Sequence, residues 1–144
     1  MALFDFPMRR RVRAGMALLD RSVPDWHWRI NVDTLDLASN CRCVCGQLYG
    51  KFSRGVLALL PLLPDFATWH PNDVAHAHGF MAKAGWLGSD SYLKLTRIWR
   101  EEILAKRERD AKEGKYDLDS DTLRCSEPTA DVAAEAQECW RTAQ

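Results

Sequence analysis

Three cysteines stand two residues apart at Cys41, Cys43 and Cys45, and three histidines follow at His70, His76 and His78. Three thiolates and one imidazole form the ligand set of many structural zinc sites, so Cys41, Cys43, Cys45 and His78 are the candidate ligands of a metal- or thiol-dependent regulator. The spacing argues against it. A C-x-x-C pair lets one turn of backbone wrap an ion, whereas on a helix C-x-C-x-C sends Cys43 away from the face shared by Cys41, Cys45 and Tyr49. Free cysteines more often pack as small apolar side chains, so no metal and no other cofactor is expected.

The remaining chemistry-bearing patterns are weaker. His76-Ala77-His78 lacks the glutamate of the deaminase signature, and neither H-E-x-x-H nor G-x-S-x-G occurs. Gly46–Lys51 resembles a phosphate loop only superficially. Three residues separate its glycines instead of four, and Phe52 stands where magnesium needs a hydroxyl. The expectation is a protein that is not an enzyme.

Binding residues are easier to nominate. Six tryptophans is a high count for 144 residues, and tryptophan is enriched at interface hot spots. Trp26 and Trp28 sit among arginine and aspartate neighbours on a short segment and are expected to reach a surface. Trp99 falls on an apolar stripe and is expected in the core. Arg9, Arg10, Arg11 and Arg13 form a basic cluster that offers a nucleic-acid reading, but no helix-turn-helix spacing follows them. The candidate partner-binding residues are therefore Trp26, Trp28, Arg9, Arg10 and Arg13.

The elements that must position these residues are mainly helical. Val12, Met16 and Leu19 set a helical stripe over Phe6–Val23, which Pro24 stops. The following connection, Asp25–Leu37, allows minor β structure near 29–33, where Ile30 and Val32 alternate with polar neighbours. Ser39 is expected to cap a short helix ending at Tyr49, with Gly50 beyond it. Gly55–Leu63 is a compact apolar run broken by Pro61, and a brief helix is expected near Asn72–His78. The longest element is a helix over about 89–113. Tyr92, Leu95, Trp99 and Ile103 form its stripe, Leu93, Ile98 and Leu104 widen it, and Glu102/Lys106 and Glu108/Lys112 supply i, i+4 pairs. This yields a single irregular helical domain over 1–113. An acidic linker and short C-terminal helix over 114–144 are expected to dock on that domain or on a second copy.

Charge and composition narrow the partners. Twenty basic residues balance twenty acidic ones, so there is no basic excess of the kind that drives nucleic-acid binding, and a nucleic-acid partner is not expected. The distribution is nevertheless polar. Four arginines face one aspartate in residues 1–15, whereas seven carboxylates face three basic residues in 114–144. No apolar run reaches the roughly 20 residues of a membrane span. The arginines follow the N-terminal apolar residues, the reverse of a secretory signal. An odd cysteine count suggests reduced thiols and a cytoplasmic location.

One resemblance is visible. Leu18-Leu19-Asp20, Pro24-Asp25-Trp26, Leu35-Asp36-Leu37-Ala38-Ser39 and Cys43-Val44-Cys45-Gly46-Gln47-Leu48-Tyr49-Gly50 resemble a family of short uncharacterised proteins of actinobacteria and their phages. His78-Gly79-Phe80 and Leu95–Ile103 are similar to its later part. The family pattern carries leucine where this chain has Cys45, which makes Cys45 an apolar substitute. The resemblance implies no activity. It implies a bacteriophage or phage-derived accessory protein, in the host cytosol if phage-encoded, that binds another macromolecule: a protein of the phage, of the host, or a second copy.

Overall fold

The computed structural model describes residues 6–82 and 91–114. The expected acidic linker and C-terminal helix, with Trp86 and Trp140, lie outside the described residues. Among the described residues the chain is mainly helical, with six α-helices and no strand. They are α1 (Phe6–Ser22), α2 (Trp26–Arg29), α3 (Val44–Tyr49), α4 (Phe52–Leu59), α5 (Pro71–Ala77) and α6 (Tyr92–Lys112), with 3-10 turns at Leu60–Leu62 and Phe66–Thr68.

Helix α1 tolerates Pro7 in its first turn, where no intrahelical donor is needed. It buries Met8, Val12, Met16 and Leu19 along one side, with Leu18 beside them. Helix α6 starts at Ser91, whose hydroxyl accepts from the Lys94 amide at 3.0 Å. It buries Leu95, Ile98, Trp99 and Ile103. The apolar stripe is narrower than the sequence suggests, because Tyr92, Leu93 and Leu104 are exposed. Helix α3 begins four residues later than a Ser39 cap implies. Ser39 instead accepts from the Arg42 amide within a preceding turn, and Cys43 is the cap residue. The helix ends at Gly50, whose φ of 90° lies in the left-handed region.

The core is tied at one point. Trp99 Nε1 donates to the Gly79 carbonyl at 2.6 Å. Phe80 stacks on the Trp99 ring at 5.5 Å, and Trp26 meets it edge-on at 5.9 Å. The turn carrying Gly79 lies directly against α1. A Cβ on Gly79 would stand 2.8 Å from the Val12 backbone, and one on Gly15 would stand 2.1 Å from the His78 carbonyl oxygen. Only two glycines allow that approach.

A polar stripe on α6 anchors the connection after α2. Thr96, Arg100, Arg107 and Asp110 recur at helical spacing and face residues 27–37. Thr96 Oγ1 accepts from the Leu37 amide at 3.0 Å. Arg100 Nε donates to the Val32 carbonyl at 2.9 Å and Arg107 Nε to the His27 carbonyl at 2.8 Å. This explains why the expected β structure near 29–33 does not form. Ile30 lies on extended backbone, but the chain bends at 32–34, and guanidinium groups, not a neighbouring strand, satisfy the Ile30 and Val32 carbonyls.

Candidate interaction surface

The structure moves Trp26 from the surface to the centre of the molecule. The side chain is 0% exposed, and its Nε1 donates to Asp20 Oδ1 at 2.8 Å. Its charged sequence neighbours misled because α2 is a single turn: one face carries Trp26 and His27 inward and the other leaves Arg29 in solvent. Trp28 is half-buried, covered by the Arg107 guanidinium 5.5 Å from its ring centroid. It is a rim residue, not a projecting anchor.

Two of the nominated arginines are engaged within the molecule. Arg9 bridges Glu101 at 2.6 Å and Glu102 at 2.7 Å, and Arg13 reaches the same Glu102 at 3.3 Å. These pairs join α1 to α6 and leave Glu102 buried. Burial alone would raise the Glu102 pKa, but the hydrogen bonds from Arg9 and Arg13 overcome it and hold the carboxyl below its ordinary value. The expected Glu102/Lys106 pair is thereby displaced, and Lys106 turns to Asp20 at 3.4 Å. Arg10 is exposed.

The four residues of the metal alternative are not brought together, and among the described residues no group of three or more potential ligands forms a site. Cys43 and Cys45 are buried and free. The Cys43 sulfur accepts from the Gly46 amide at 3.2 Å, serving as the cap of α3, and burial pushes its thiol up to about 11. Burial also raises the Cys45 thiol well above its ordinary value. Cys41 is disulfide-bonded, which corrects the expectation of reduced thiols throughout. His78 Nδ1 is 2.8 Å from the Val74 carbonyl, at the end of α5.

The distinctive run around these cysteines is explained by packing. A Cβ on Gly46 would lie 2.5 Å from the Asn40 carbonyl oxygen. Gln47 clips two segments together: its amide donates to the Asn31 and Arg42 carbonyls at 3.1 and 2.9 Å, and its oxygen accepts from the Asn31 amide at 2.7 Å.

One buried titratable pair was not anticipated. His27 Nε2 lies 2.7 Å from Asp110 Oδ2 beneath Trp26 and Trp28. Burial, with Lys106 nearby, lowers the His27 pKa despite Asp110 and Asp20. The spacing of Asp110 from Arg107 and Arg100 on α6 was the available signal.

Among the described residues, exposed apolar side chains stand on the outer face of α6. Leu93 is 86% exposed and Leu104 48% exposed. With Arg97, Glu101 and Glu108 they occupy an arc of about 80° at roughly 100° per residue. Arg97 and Glu101 pair loosely at 3.9 Å between the two leucines. Among the described residues no helix is long and apolar enough to cross a membrane. Searches of family models, curated proteins and solved structures find no match to this chain.

Proposed function

We propose that this protein acts without catalysis, by binding another protein through the outer face of α6. The observation that supports the reading is the exposure of Leu93 and Leu104 in line on the longest rigid element. Their apolar side chains gain free energy only if a partner covers them. A helix presenting two leucines three turns apart, with charged residues between, suits recognition by a helix or a groove. The nominated arginines Arg9 and Arg13 serve the fold through Glu101 and Glu102, and Trp28 and Arg10 are left at most as peripheral contacts. A phage-derived accessory role rests on the sequence resemblance alone.

The test is an affinity capture from actinobacterial lysate with the tagged protein and with a Leu93→Glu/Leu104→Glu variant. A specific partner retained by the parent and lost by the variant supports the reading. Equal capture by both, or no specific partner and no self-association, overturns it.

A further inference from the structure

Resting on that reading, we infer that the outer face of α6 binds a second copy of itself, as an antiparallel helix pair about a two-fold axis. The argument is one of register. Leu93 and Leu104 are eleven residues apart and Arg97 and Glu101 are four apart, yet both pairs are centred on nearly the same level of the helix, between residues 98 and 99 and at 99. At about 1.5 Å per residue the two centres differ by less than about 1 Å. A two-fold axis through that level and perpendicular to α6 therefore sets each Leu93 opposite Leu104 of the second copy. The same operation sets each Arg97 opposite Glu101 of the second copy. One rotation satisfies both the apolar and the charged pairs, which is the self-complementarity that a closed symmetric dimer requires.

The parallel alternative fails on the same residues. It would oppose Arg97 to Arg97 and Glu101 to Glu101, a like-charge arrangement that specific interfaces avoid. Within one chain Arg97 Nε and Glu101 Oε1 lie 3.9 Å apart, while Arg9 holds the other carboxylate oxygen of Glu101 at 2.6 Å, so Oε1 can accept from Arg97 of the second copy with the Arg9 bridge kept. The exposure of Leu93 has a further use: its replacement leaves the core intact, so effects on assembly separate from effects on folding.

Sedimentation equilibrium of the full chain, from micromolar to hundreds of micromolar, tests the inference. A monomer–dimer equilibrium is expected. Leu93→Glu should weaken it at least about tenfold, because symmetry removes each leucine contact twice, with unchanged circular dichroism and melting temperature. Orientation is read from cysteine variants. Leu93→Cys combined with Leu104→Cys should give covalent dimers on mild oxidation, because residues eleven apart on one helix are about 16 Å apart and cannot bridge within a chain. Leu93→Cys alone should give no more dimer than the parent. A monomer at every concentration overturns the inference, as does a dimer indifferent to Leu93→Glu. Efficient cross-linking of Leu93→Cys alone overturns the antiparallel arrangement. If the protein is monomeric but captures a different protein in a Leu93-dependent manner, the inference falls while the broader binding function stands.

Discussion

At the scale of single residues, Trp26 and Trp99 are partners in one aromatic cluster, and their substitutions should behave alike. Both are fully buried, and truncating a buried tryptophan costs about 3–5 kcal/mol through lost transfer energy and the cavity left behind. Urea denaturation should show losses of that order for Trp26→Ala and for Trp99→Ala. A Trp26→Ala protein as stable as the parent would remove Trp26 from the core. Gly15→Ala sets two effects against each other. Alanine favours a helix by about 1 kcal/mol over glycine, but its Cβ would stand 2.1 Å from the His78 carbonyl oxygen, a backbone atom that cannot swing aside. Overpacking of this kind costs about 1–3 kcal/mol or more. The melting temperature should fall, and a rise would show that α1 and the Gly79 turn can separate freely.

His27 makes stability depend on pH. Its folded pKa is lowered from the ordinary 6.5, with burial as the largest cause, so the native state prefers the neutral ring. The unfolded chain binds the proton more readily. Stability from this group is therefore fully present above about pH 6.5 and is lost as pH falls through the lower folded pKa. Denaturation midpoints measured between pH 8 and 5 should decline over the acid part of that range, and His27→Gln should flatten the decline. Glu102 adds a second, more acidic loss. Its folded pKa lies below the ordinary 4.5, so its contribution is complete above that value and disappears as the carboxylate is protonated and releases Arg9 and Arg13.

At the scale of elements, α6 holds the 27–37 connection by arginine side chains where another protein would use a strand. Arg100→Met keeps much of the side-chain volume but withdraws donors from the Val32 and Leu35 carbonyls. Hydrogen bonds from charged groups contribute about 1.5–3 kcal/mol, so this variant should lose about that much and show faster amide exchange across 30–37. Unaltered exchange there would mean that Thr96 and Arg107 suffice. Helices α1 and α6 were legible in advance, since they carry period-3.6 apolar patterns and recognisable stops. The single turn α2 and the bend at 32–34 were not, because alternation of Ile30 and Val32 reports one buried side and says nothing about what satisfies the backbone. Arg100 and Arg107 read as solvent-facing charges in sequence. Only the fold reveals that their heads lie against carbonyls.

At the scale of the whole molecule, the balanced charge conceals an internal arrangement. The basic cluster of α1 is matched by Glu101 and Glu102, which lie 92 and 93 residues from Arg9. A sequence-level charge map located the arginines correctly and could not identify their counterions, because pairing across such separations is a property of the packing of α1 on α6. The same reason hid the role of the Cys43–Gln47 run, whose residues look like chemistry in order and act as cap and clip in place. The outer face of α6 was obscured by its apolar neighbours. Leu93 and Leu104 widen the stripe in projection, yet they fall on the side that no other described element covers.

The position of α6 along the chain has a consequence for how the protein is made. Trp99 supplies the surface on which Trp26 and Phe80 meet, and Thr96, Arg100 and Arg107 tie down backbone 59 to 80 residues earlier. A ribosome must therefore extrude nearly the whole described chain before its core can close. Until then Trp26 and Phe80 lack their common neighbour, and loop closure over such distances is entropically costly. A nascent chain halted near residue 91 should stay protease-sensitive, and one extended to 114 should become resistant in a single cooperative step.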